Sequence, residues 1–134
     1  MSQAPMASSQ PRPREPTTRT VRAEEEIRAL LRAIEDPDCR TILEATGERP
    51  LSANELRERY DLPSSTVYRK LERLTDLGLV EERIRVHRTG RHVSEYRRCV
   101  GDVRFSVVEG EAELEVVGQG REEPWWSLSA RTDG

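Results

Sequence analysis

One segment, LPSSTVYRKLERLTDLGLV at residues 62–80, constrains the fold of this chain more than any other. Val67, Leu71 and Leu74 follow one another at i, i+4 and i+7, which places them on one face of a helix. A proline-serine pair before them and Gly78 after them are signals for the two ends of that helix. The apolar face predicts that the helix packs on a domain core, and the polar face, which carries arginines, is left for another role.

Three further helices are predicted before this segment. The first covers residues 22–36, where four aliphatic side chains repeat with helical spacing. The second begins at Pro37, with Asp36 as its N-cap. The third opens with Ser52 and Glu55, whose spacing is that of a capping box.

Alternating apolar and polar residues after the last helix predict a first β-hairpin in residues 79–99. We place its loop at the three residues 89–91. That placement predicts two facing pairs, Ile84 with Tyr96 and Arg85 with Glu95.

A second hairpin is predicted in residues 102–118, with its turn at Glu109-Gly110. Both chain ends lack periodicity. The first 21 residues are rich in Pro and Ser and predict a disordered tail. The last 16 residues predict a loose tail, in which Trp125 and Trp126 dock on their own domain or on a second subunit rather than forming an exposed partner site.

The order of these elements, together with residues 51–83, resembles the winged helix-turn-helix of ArsR-like transcriptional regulators. The resemblance lies in a helix of the pattern S-T-V-x-R-x-L-x-x-L followed by G-L-V, which this chain matches at Ser65, Thr66, Val67, Arg69, Leu71, Leu74, Gly78, Leu79 and Val80. It covers about residues 24–100, and the second hairpin is similar to that of small archaeal members of the group. The resemblance implies a cytoplasmic, homodimeric regulator that binds double-stranded DNA.

The predicted fold class is α+β, a winged helix-turn-helix with a β-hairpin wing and an additional C-terminal β-hairpin. The chain is predicted to consist of four segments: a disordered tail at 1–21, the DNA-binding domain at 22–100, the extra hairpin at 101–118 and a loose tail at 119–134.

Eight residues are predicted to contact DNA: Ser64, Ser65, Thr66, Tyr68, Arg69, Arg73, Arg88 and Arg91. The hydroxyl side chains stand at the helix N-terminus, where they reach base edges or help to bind a phosphate. Arg69 is placed to reach the acceptors of guanine, and the two arginines of the wing are placed to hold phosphates or enter a minor groove. Simpler roles stay open, since the hydroxyls could cap the helix and Arg69 could be solvated.

Charge is distributed unevenly along the chain. The whole sequence carries a formal charge of −3, whereas residues 64–98 contain nine basic and five acidic residues, a balance of +4. Positive charge on the proposed DNA side suits phosphate contact. Glu72 and Asp76 oppose it, although an i, i+3 pair of Glu72 with Arg69 would neutralise both. The acidic total keeps a second interpretation open, a winged-helix protein-interaction module without specific DNA binding.

Other functions have little support in the sequence. No nucleophile-base grouping or glycine-rich phosphate loop predicts an enzyme, and we expect no cofactor. Cys39 and Cys99 lie sixty positions apart and predict free thiols, and His87 and His92 predict solvated strand residues rather than metal ligands. No apolar run approaches the length of a membrane span. No sequence pattern indicates a small-molecule effector.

Overall fold

Four helices follow one another in the order that the sequence predicts. In a computed structural model, which describes residues 17–118, they are α1 (Glu24–Glu35), α2 (Pro37–Glu48), α3 (Ala53–Tyr60) and α4 (Ser64–Asp76). Residues 1–16 and 119–134, which include most of the predicted N-terminal tail and the Trp125-Trp126 pair, lie outside the described residues.

Two local caps begin helices as predicted. The Asp36 carboxylate accepts the backbone N–H of Asp38 at 2.8 Å and of Cys39 at 3.3 Å, and Pro37 stands at the start of α2. At α3 the capping box is complete: the N–H of Glu55 donates to the Ser52 hydroxyl, and the N–H of Ser52 donates to the Glu55 carboxylate. These bonds satisfy backbone groups that a helix N-terminus otherwise leaves without partners.

The strands form two separate three-stranded antiparallel sheets. They are β1 (Thr18–Val21), β2 (Leu51–Ser52), β3 (Val80–Val86), β4 (His92–Arg98), β5 (Val100–Val108) and β6 (Glu111–Gly118). The first sheet has the order β2-β4-β3, and its β3–β4 hairpin is the wing. The second sheet has the order β1-β6-β5 and packs on α1 through β6. This architecture confirms the predicted α+β winged helix-turn-helix with an additional hairpin.

The predicted register of the wing is wrong by two residues. The N–H of His87 donates to the Arg91 carbonyl and the N–H of Gly90 to the His87 carbonyl, both at 2.8 Å, so the loop consists of residues 88–90. Gly90 has a φ of +87°, and a three-residue hairpin loop needs this left-handed conformation at its last position. Arg83 therefore faces Glu95 and Ile84 faces Ser94. Because the predicted loop lies one residue too late in the sequence, the predicted partner of every β3 residue is two positions too far along β4.

The predicted N-terminal tail extends too far into the chain. Residues 18–21 form β1, which pairs with β6, and Val21 faces Leu114 in the core with only 3% of its surface exposed. The strand is four residues long and reads T-R-T-V, which is too short and too polar for periodicity to reveal it. Its partner strand lies more than ninety positions later, so tertiary pairing and not local pattern makes this segment a strand.

The core lies between the helices and is aliphatic. Side chains buried to 1% exposure or less include Leu30, Ile42, Leu56, Val67, Leu71, Leu74, Leu79 and Leu114. The predicted apolar stripe of α4 is among them, so this helix is held by its inner face and presents the other face outward. At the far end of the second sheet, Glu109 (φ 53°) and Gly110 (φ 81°) make the turn at the predicted position.

Candidate nucleic-acid interface

The outer face of α4 carries most of the predicted DNA-contacting residues. Ser64, Ser65 and Arg69 are exposed, and Tyr68 has 60% of its surface exposed. Thr66 is half-buried. The hydroxyls and the first arginine thus share one accessible surface at the N-terminal half of the helix.

Among the residues that the structure describes, none provides a side-chain cap for the N-terminus of α4. Pro63 occupies the N-cap position, and it has no hydrogen-bonding side chain that could accept from the first turn. The hydroxyls of Ser64, Ser65 and Thr66 come one to three positions too late to act as that cap. The first backbone N–H groups are therefore left without a side-chain acceptor at the positive end of the helix dipole, an arrangement that can bind a phosphate.

Lys70, which the charge count placed on the DNA side, is buried. Its exposed fraction is 8%, and its ammonium donates a hydrogen bond to the Asp36 carboxylate. That hydrogen bond lowers the pKa of Asp36. Burial acts in the opposite direction, and the hydrogen bonds from the backbone N–H groups of Cys39 and Asp38 lower the pKa further. The positive charge of Lys70 is consequently neutralised inside the domain, and the local balance of +4 overstates what a phosphate would meet.

A groove of about 410 Å³ runs between α1 and the C-terminal half of α4. Arg69 and Arg73 line it from α4, and Arg32 lines it from α1. Arg32 was missed by the sequence analysis, because only the packing of α1 against the α4 side of the domain brings it beside the other two arginines. Three guanidinium groups on one groove form a positive surface, although Glu72 and Asp76 share it.

All four arginines that were predicted to contact DNA remain available for a ligand. Within the part of the chain that the structure describes, Arg69, Arg73, Arg88 and Arg91 form no ion pair, and the expected Arg69–Glu72 pair is not made. Arg73 is half-buried and the other three are exposed.

The arginines of the wing differ in their availability to a ligand. Arg85 binds Glu95 at 3.1 Å, diagonally across the hairpin, and Glu95 is buried. Arg88 lies in the loop and Arg91 beside it, both exposed, at the tip of the wing and on a different element from α4. The accessible positive charge of the wing is therefore concentrated at its tip.

A second depression, of about 300 Å³, lies between α4 and the base of the wing and is acidic. Tyr68, Glu72, Asp76, Glu82 and Tyr96 line it with Thr75. The Tyr96 hydroxyl donates to Glu82 at 3.4 Å, and burial together with the Glu82 charge raises the pKa of Tyr96 to about 12. The carboxylates of this surface disfavour phosphate, so the surfaces suited to an anionic ligand are the N-terminal half of α4, the arginine groove and the wing tip.

The cysteines and histidines do not assemble a metal site in residues 17–118. Cys39 is fully buried, and burial raises the pKa of its thiol. Cys99 is half-buried, its thiol contacts the Gly78 carbonyl at 3.2 Å, and neither cysteine forms a disulfide bond. His87 and His92 are exposed on the wing. No group of three or more potential ligands is found in this range.

The comparisons with known proteins bear on this same part of the chain. Residues 34–83 match the model of a family described as a helix-turn-helix domain. The match runs from the end of α1 through α4 into the first strand of the wing, and it includes both helices around the turn at residues 61–63. A comparison with curated proteins found no match. Among the described helices, none is long and apolar enough to cross a membrane.

The chain thus contains a helix-turn-helix domain with a wing. Domains of this class are typical of DNA-binding regulators.

Proposed function

We propose that this protein is a sequence-specific transcriptional regulator of the ArsR-like type that its sequence resembles. In the proposal, α4 enters the major groove of double-stranded DNA, with Ser64, Ser65, Thr66, Tyr68 and Arg69 near base edges and phosphates. Arg73 follows the backbone, and Arg88 and Arg91 hold the backbone or the minor groove.

One observation carries this proposal: the N-terminal half of α4 is accessible, uncapped and polar, inside a segment that matches a helix-turn-helix domain. A capping side chain at the N-cap would stabilise α4 by about 1 kcal/mol. Pro63 stands there instead, and the exposed N–H groups together with unpaired arginines complement a negatively charged ligand.

A homodimer completes the proposal. One recognition helix covers a few base pairs, and two copies related by a two-fold axis would read two half-sites about one helical turn apart. We therefore expect a roughly palindromic site.

A second candidate function is a winged-helix module that binds a protein. The acidic depression beside α4, lined by Glu72, Asp76 and Glu82, favours it, because that surface would attract a basic partner and repel DNA.

The test is selection of bound fragments from genomic DNA of the source organism, repeated at low and at molar salt. An enriched palindromic motif supports the regulator and reports its targets. Binding that shows no motif and is lost as the salt concentration rises would indicate that the arginines contact phosphates without sequence preference. No bound DNA in either buffer favours the protein-interaction module.

A further inference from the structure

The second sheet has an apolar face that the helices cover only in part. Facing residues of an antiparallel pair share a face, and β5 and β6 pair Val103 with Val116, Phe105 with Leu114 and Val107 with Ala112. On the β6 side, Leu114 is fully buried and Val116 is 7% exposed. On the β5 side, Phe105 is 55% exposed and Val107 is 64% exposed.

This uncovered strip lies on an edge strand. β5 pairs with β6 on one side and with no described strand on the other. Its opposite face is mainly polar apart from Val108, with Arg104 beside Glu115 and Ser106 beside Glu113. The alternation shows that the Phe105 side is built as an interior face, and natural proteins cover such faces and edges because they otherwise promote aggregation.

We propose that the segment after β6 folds back and docks Trp125 and Trp126 on Phe105 and Val107 of the same chain. The length of chain permits this contact. β6 ends at Gly118, beside Val100 at the start of β5, whereas Phe105 lies opposite Leu114, four residues back along β6. Four residues of strand span about 13 Å, and the six residues back to Ala112, opposite Val107, span about 20 Å.

Trp125 is seven residues beyond Gly118. Seven residues of extended chain span at most about 25 Å, so the indoles reach the whole strip without strain. An indole pair also matches the strip chemically, since aromatic rings pack on Phe in offset or edge-to-face arrangements and lose exposed apolar area in doing so. The inference concerns a surface away from α4 and does not depend on the proposed DNA binding.

The composition of the chain makes the contact directly measurable. Trp125 and Trp126 are the only tryptophans, and Phe105 is the only phenylalanine. Nuclear Overhauser contacts between an indole ring and the phenylalanine ring in the full chain therefore identify this contact without any substitution. Mixing differently labelled chains distinguishes contacts within one chain from contacts between two.

Tryptophan emission gives the second measurement. We expect blue-shifted emission that is protected from acrylamide, and we expect Phe105→Asp with Val107→Asp to shift it to the red and raise quenching several-fold. Ser106→Asp, on the opposite face of the same strand, is the matched control and should change neither. Circular dichroism of all three proteins verifies that the fold is retained.

Each other outcome overturns the proposal. Contacts seen only between differently labelled chains, or protection lost on dilution, would assign the strip to a second copy. Indoles that emit and quench as in free solution, with no contact to the Phe105 ring, would show that the tail does not cover it.

Discussion

Lys70 of α4 and Asp36, the N-cap of α2, form a partly buried ion pair that ties the proposed recognition helix to the rest of the domain. The same carboxylate accepts two backbone N–H groups of α2 and the ammonium of α4. Because one group serves both helices, the pair links α4 to α2, and it does so with the single lysine of the chain.

We expect Lys70→Met to destabilise the protein by about 2 kcal/mol, because it leaves the half-buried Asp36 carboxylate without its charged partner. Urea unfolding followed by circular dichroism measures the change. Asp36→Asn is the informative companion, since asparagine retains the cap, and combining the two substitutions should cost less than their sum. Strict additivity would show that the pair contributes no coupling.

The stability of the protein should fall in acid because of the same pair. The pKa of Asp36 in the folded protein is lower than its ordinary value of 3.8, so the folded state binds this proton less tightly than the unfolded state. The contribution of the pair is therefore fully present above about pH 4 and is lost as the pH falls through the lowered pKa. Unfolding midpoints measured from pH 6 to pH 2 should show a smaller acid loss for Lys70→Met, and identical profiles would contradict this assignment.

Replacing both Arg69 and Arg73 by Ala should weaken DNA binding and flatten its dependence on salt. Each lost phosphate contact lowers the slope of log affinity against log salt by about 0.9, and a lost base contact costs about 1–3 kcal/mol. Fluorescence anisotropy with a selected DNA fragment at several salt concentrations gives both quantities. Arg104→Ala, which removes the same charge from the second sheet, should bind as the wild type does.

The arginines at the tip of the wing should contribute affinity without sequence preference. We expect Arg88→Ala with Arg91→Ala to weaken binding to all sequences by a similar factor, because backbone contacts carry no base information. Repeating the fragment selection with this variant tests the point, and a changed motif would mean that the wing reads bases. The Arg85→Ala variant is the control: it should affect DNA affinity less, because Arg85 is already bound to Glu95.

Removing one carboxylate beside the arginine groove should strengthen DNA binding. Glu72 is exposed on α4 and makes no ion pair with Arg69, so it opposes phosphate without supporting the fold. Glu72→Gln should raise the affinity by roughly threefold, as expected for one solvent-screened charge. An unchanged or lower affinity would place DNA away from this groove and favour the protein-interaction module.

Local features of this protein were readable from the sequence. The N-cap at Asp36, the capping box at Ser52 and Glu55, and the turn at Glu109-Gly110 all occur where predicted. Each depends on residues within three or four positions of one another. The buried face of α4 was also predictable, because helical spacing makes Val67, Leu71 and Leu74 neighbours whatever the rest of the chain does.

Contacts between distant parts of the chain were not readable in this way. The strand β1 exists only because β6 offers it an edge, and the wing register turned on a loop placed one residue too late. Arg32 shares a groove with Arg69 and Arg73 only because α1 and α4 pack nearby. Lys70 looked like one more surface cation, and only the tertiary structure turned it inward to Asp36. Sequence alone thus determined the four helices, the two hairpins and the polar face of α4, whereas packing decided which charges meet one another and which are left for a ligand.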